Sequence, residues 1–166
     1  MKNILMICLV IATALCLTAG CKKKGCTDSR SINYDSKADE DDGSCEYAGT
    51  GGNVTIVAFP EHHGKPIING TYSHSGTDST SHLDSTYVKF NVTESPGTAI
   101  NSYDLKLGGD DIGEDHVHIH GLKPGKYFIY MTGYDSTISQ FVRGGIPYTL
   151  MQTSGEVDLH IPVSEE

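Results

Sequence analysis

A series of short runs in which apolar and polar residues alternate, with most of the gaps between them punctuated by Gly, Pro, Asn or Asp, limits the folds open to this chain. Such runs cover Asn53–Phe59, Ile67–Tyr72, Thr86–Val92, Tyr103–Leu107, His116–His120, Lys126–Tyr134, Tyr148–Met151 and Glu156–Val163. A period of two buries one face of a strand and leaves the other in water. Nowhere beyond the N-terminus does a 3.6-residue period persist, so a helical bundle is excluded. Nine Tyr, many Thr, Val and Ile, and 19 Gly favour strands and tight turns. The expected fold is all-β, an antiparallel Greek-key β-sandwich of about seven strands over residues 53–163. Its inward set on the last strand is Val157, Leu159 and Ile161. Residues 73–85, with five Ser, two Thr, two Asp and two His, read as an inserted polar loop.

The start of the chain reads as an address. Met1-Lys2-Asn3 is short and basic, and Ile4–Leu17 is apolar apart from Thr13. That run is shorter than the roughly 20 residues a spanning helix needs and fits a secretory signal peptide. Leu17-Thr18-Ala19-Gly20-Cys21 resembles the lipobox of bacterial lipoproteins, with Thr18 where that family has Leu. The resemblance implies cleavage after residue 20, acylation of Cys21 and a membrane anchor, with residues 21–25 as a basic tether. Two or more acyl chains hold a protein on a bilayer. Lys22-Lys23-Lys24 stands where surface-exported lipoproteins of Bacteroidetes often carry acidic residues, and that difference from them implies the periplasmic face of an outer membrane rather than the cell surface. With 21 acidic against 12 basic residues, nucleic acid is excluded as a partner; an envelope protein or a glycan remains as a partner class.

Of five cysteines, Cys8 and Cys16 leave with the signal and Cys21 takes the lipid, so Cys26 and Cys45 are the pair left to bond in an oxidising compartment. They bracket an acidic module, residues 26–47, which Ala48–Gly52 joins as a flexible linker to the main domain. The pattern Cys26-Thr27-Asp28, Asn33-Tyr34-Asp35, Asp41-Asp42-Gly43-Ser44-Cys45 resembles a short Cys-flanked module of secreted and surface proteins of Bacteroidetes. Gly121-Leu122-Lys123-Pro124-Gly125-Lys126-Tyr127 is similar to a turn of transthyretin-like, Cna-B-like and carboxypeptidase-regulatory-like sandwiches. Glu61–Ile67, Gly133–Thr137 and Gly144–Pro147 resemble Bacteroidetes envelope lipoproteins. These resemblances imply fold and location, and no mechanism.

Two groups of side chains could hold ions. His116, His118 and His120 alternate with Val117 and Ile119, so all three share one strand face about 7 Å apart. Imidazoles so spaced suit Zn²⁺ or Cu²⁺ when another element adds a ligand, and His62-His63 in a nearby turn is the candidate. With Val117 and Ile119 in the core, the same three His also suit a plain solvated face. In the module, Asp28, Asp35, Asp39, Asp41 and Asp42 are candidate Ca²⁺ ligands, although the order lacks the EF-hand alternation. His116-Val117-His118 looks superficially like Cu/Zn superoxide dismutase, but that family's other ligands are missing. The arginine that precedes the His pair of intradiol dioxygenases is missing too. No Gly-x-Ser-x-Gly elbow, P-loop or dinucleotide fingerprint occurs. The leading expectation is a lipid-anchored, non-enzymatic binding or structural module; the alternative is a Zn- or Cu-binding lipoprotein.

Overall fold

The computed structural model describes residues 22–67, 82–108, 114–136 and 138–165. The signal segment, Cys21, most of the run 67–72 and most of the polar insertion lie outside the described residues. Of that insertion, His82–Ser85 is strand rather than loop.

A small module comes first. Strands β1 (Lys24–Gly25) and β2 (Glu40–Asp41) pair in parallel, and a disulfide joins Cys26 to Cys45. The domain proper is β3 (Thr50–His62), β4 (Lys65–Pro66), β5 (His82–Phe90), β6 (Leu105–Leu107), β7 (Val117–Leu122), β8 (Gly125–Asp135), β9 (Gln140–Leu150) and β10 (Ser154–Glu165). One 3₁₀ turn, Ile100–Ser102, precedes β6. The eight strands form one curled sheet in the order β4-β3-β10-β9-β8-β5-β6, with β7 also paired to β3.

All-β is therefore correct, but one ladder departs from the antiparallel expectation. β10 runs parallel to β3 from Ser154↔Asn53 to Val163↔His62. Its last two residues then leave β3 and pair antiparallel with Val142 and Arg143 of β9. β10 thus joins the two halves of the sheet, pairing with β3 for most of its length and with β9 at its end.

Alternation builds the core. Val54, Ile56 and Ala58 of β3, Val117 and Ile119 of β7, Ile129 and Met131 of β8, and Leu159 and Ile161 of β10 pack into one buried cluster. Val157 is only half-buried against it. On the opposite face of β5 and β8, Tyr87, Phe128 and Tyr130 form a second cluster under Val92 and Tyr103.

Two expectations fail for glycine-related reasons. Gly144-Gly145-Ile146-Pro147 is not a gap but the middle of the eleven-residue β9. A Cβ on Gly144 would meet the Pro162 carbonyl oxygen at 2.1 Å, so glycine is what lets β9 cross against β10. Residues 48–52 are not a free linker either. Ala48 is buried in the main core, Thr50 already begins β3, and Tyr127 Oη accepts the Gly49 N–H at 3.1 Å and donates to the Lys123 carbonyl at 2.6 Å. Module and domain are further tied by Lys126 Nζ donating to the Ser29 carbonyl at 2.6 Å.

Candidate metal centre

The inward phase of β3 runs Val54, Ile56, Ala58 and Pro60, all buried, and its next member is His62. An imidazole at a core position needs a partner for each ring nitrogen. His62 is 3% exposed, and its Nδ1–H donates to Asp135 Oδ2 at 2.7 Å from the end of β8. Its Nε2 is buried without a hydrogen-bond partner among the described residues. That nitrogen stands 3.5 Å from Glu165 Oε1, at the end of β10 that has crossed to β9.

A two-residue hairpin supplies the next donor. His62 pairs with Lys65 across His63-Gly64, whose φ angles are 50° and 72°. Positive φ at both central residues is the type I′ turn that fits the strand twist. His63 is held in this left-handed conformation and its ring stacks on His62, with centroids 4.1 Å apart. Its Nε2 lies 3.8 Å from the same Glu165 Oε1.

Donor atoms of His62, His63 and Glu165 all fall within 4.8 Å of one another. Ligands about 2.0–2.1 Å from a tetrahedral Zn²⁺ lie about 3.4 Å apart, close to the 3.5 and 3.8 Å found. Asp135 lies behind: a carboxylate on Nδ1–H favours the tautomer that leaves the Nε2 lone pair available to an ion. The three donors are close enough together to hold a metal ion.

The two carboxylates also shift the protonation of the imidazole between them. The Asp135 hydrogen bond raises the His62 pKa above its ordinary value, burial works against it, and Glu165 adds to the rise. Glu165 is held below the usual carboxylate range, first by its own backbone N–H and, after an opposing desolvation effect, by His62. A cleft of about 190 Å³ adjoins the two imidazoles and is also lined by Lys65, Pro66, Ile67, Asp135 and Ile138.

The predicted histidine stripe lies elsewhere. Val117 and Ile119 are buried as expected, while His118 pairs with Val57 on the outward face of β3. His116 and His118 have ring centroids 4.8 Å apart, and His118 and His120 stack at 5.5 Å. His116 donates to Asp115 at 2.9 Å, and His120 is hydrogen-bonded to Thr55 Oγ1 at 3.1 Å. Two residues add to this face unforeseen: Phe59 contacts both His116 and His160, and His160 donates to Glu61 at 2.7 Å. Ligand atoms of the stripe do not converge; among the described residues the second group of three is Glu114, Asp115 and His116. His62 and His63 therefore do not join the stripe, because strand phase turns His62 into the core and the stripe away from it.

The five acidic candidates of the module are likewise kept apart. Asp28 is bound by Arg30 at 2.7 Å and by Tyr47 Oη at 2.8 Å, and these hydrogen bonds, Arg30 first, hold it well below the usual carboxylate range. Asp35 pairs with Lys23 at 2.5 Å, and that contact lowers it too. Asp39 accepts the Lys23 N–H, Asp41 the Gly43 N–H and Asp42 the Ser44 N–H. Each carboxylate has a local partner, and no three of them gather around one point among the described residues.

Asp135 and Glu165 were missed in the sequence. Asp135 sits in what reads as turn residues, and Glu165 lies two residues beyond the expected end of the last strand. No protein-family model, no curated protein and no solved structure matches this chain.

Proposed function

We propose that this is a lipid-anchored cell-envelope protein whose β-sandwich is a non-enzymatic module for a divalent transition ion, Zn²⁺ or Cu²⁺. The ion is held by His62, His63 and Glu165. The observation that carries the reading is the buried Nε2 of His62, without a hydrogen bond among the described residues, with Asp135 on its Nδ1 and the donors of His63 and Glu165 close by. A ligand set of two imidazoles and one carboxylate suits borderline ions and disfavours Ca²⁺ and Mg²⁺. The module is left out of the metal reading because its candidate carboxylates each have a local partner and no three of them converge among the described residues. In this reading it is a stapled spacer between the acylated Cys21 and the domain, on the periplasmic side of an outer membrane. The stripe is a solvated sheet face.

Calorimetric titration of the mature, tag-free chain with Zn²⁺ tests the reading. One ion per chain is expected, with binding lost in His62→Ala and retained in His118→Ala. No saturable binding, or binding lost in His118→Ala and kept in His62→Ala, overturns it.

A further inference from the structure

The three donors differ in what they show to water. The His62 side chain is 2% exposed, Glu165 38% and His63 72%. The Nε2 of His62 is itself buried, so a hydrated ion cannot meet that atom first. Two groups stand against it: the His63 ring is stacked on the His62 ring at 4.1 Å, and Glu165 Oε1 lies 3.5 Å from Nε2. A site of this kind needs a path by which the ion enters.

The donors also differ in how they are held. His62 is bound from behind by the 2.7 Å hydrogen bond to Asp135 and belongs to the buried phase of β3. Glu165 has its backbone in the ladder with Val142. His63 is at the exposed tip of the two-residue turn, and among the described residues its imidazole makes no hydrogen bond, only the ring stack and the 3.8 Å approach to Glu165. The most exposed donor is therefore also the least restrained.

We infer that the ion is captured by His63 with Glu165 and passes to His62 last. His63 takes the hydrated ion from solvent, Glu165 joins it, and the buried Nε2 of His62 then displaces a further water. Release runs through the same steps in reverse. This rests on the metal reading above and adds the order in which the site fills.

Co²⁺ makes the order visible, because its d–d absorption changes each time a protein donor replaces water. The mature, tag-free chain is mixed with Co²⁺ in a stopped-flow spectrometer over a range of ion concentrations. Expected are a fast phase whose rate rises with Co²⁺ and a slower phase whose rate levels off. His63→Gly removes the ring but keeps the left-handed turn, since glycine accepts a φ of 50° without strain. It should lose the fast phase, because a lone exposed carboxylate remains to capture the ion. Asp135→Asn should shrink the slow phase and leave the fast one, and His118→Ala should change neither. A single phase in the wild type that rises in proportion to Co²⁺, or a fast phase that survives in His63→Gly, overturns the order and leaves the metal reading standing. Failure of Co²⁺ to bind at equilibrium overturns the metal reading, and this inference with it.

Discussion

Asp135→Asn isolates the role of the carboxylate behind His62. The exchange keeps the shape and leaves an amide oxygen to accept the Nδ1–H, but removes the negative charge from a 2.7 Å contact with a residue that is 3% exposed. A hydrogen bond to a charged group contributes about 1.5–3 kcal/mol, against about 1 for a neutral pair. The bond is also made without metal, so that difference, about 0.5–2 kcal/mol, sets an upper bound of about thirtyfold on the loss of metal affinity from this source. Carboxylates behind a metal-bound histidine cost about 10- to 100-fold when mutated, so a loss near tenfold is expected at pH 8. The pH dependence is more telling. Asp135 raises the His62 pKa, so in acid the wild type holds on Nε2 a proton that the metal must displace. The Asn variant holds that proton less tightly. The gap between the two proteins should therefore narrow as pH falls from 8 to 6, even as both bind more weakly. Isothermal titration at several pH values decides it. Equal affinities at pH 8, or a gap that widens in acid, would refute the reasoning.

Other outcomes follow from the same geometry. In metal-free protein, the raised His62 pKa means its stabilising contribution is full below the unfolded value of 6.5 and is lost as pH climbs through the folded value; urea melts from pH 5 to 9 should show that decline in the wild type and a flatter profile in Asp135→Asn. Free Zn²⁺ at about 100 times its dissociation constant should add about 2.7 kcal/mol to the unfolding free energy, read as a shifted urea midpoint that His62→Ala abolishes. The Cys26–Cys45 bridge spans a sequence separation of 19, so reducing it should cost about 3 kcal/mol of module stability, seen as faster amide exchange over residues 26–45 while core amides of β8 stay protected. Cys21→Ala should move the protein from the membrane to the soluble fraction or leave an uncleaved precursor, both visible by fractionation and mass.

Local periodicity made most of the strands legible, because alternation reports which face is buried, and that is decided residue by residue. Val54, Ile56, Val117, Ile119, Leu159 and Ile161 lie in the core as the alternation requires. Partnership between strands is another matter. The parallel ladder of β3 with β10 joins residues about a hundred positions apart, and nothing within either strand states its direction. The strand β9 was hidden by Gly144-Gly145, which carry turn chemistry in a local reading. Their actual role is the close approach of the Pro162 backbone, a contact made by another strand.

The site divides along the same line. Histidine at position 62 was noticed, but as a member of a turn pointing toward the stripe. The alternation that places Val54, Ile56 and Ala58 inside already placed His62 with them, had the strand been carried two residues past Pro60. A histidine in core phase demands a polar partner, and this demand is the signal a sequence can give. Which residues answer it depends on closure. Asp135 reaches His62 from the end of β8, and Glu165 reaches it only because β10 leaves β3 for β9 in its last two residues. Three strand ends therefore meet at the seam of the curled sheet, where the ladder changes partner and the inward face runs out of apolar neighbours. A seam of this kind is where a fold can leave an imidazole nitrogen buried without a hydrogen bond, and an ion bridging His62 to Glu165 would tie the two halves of the sheet together at the point where the backbone ladder between them is shortest.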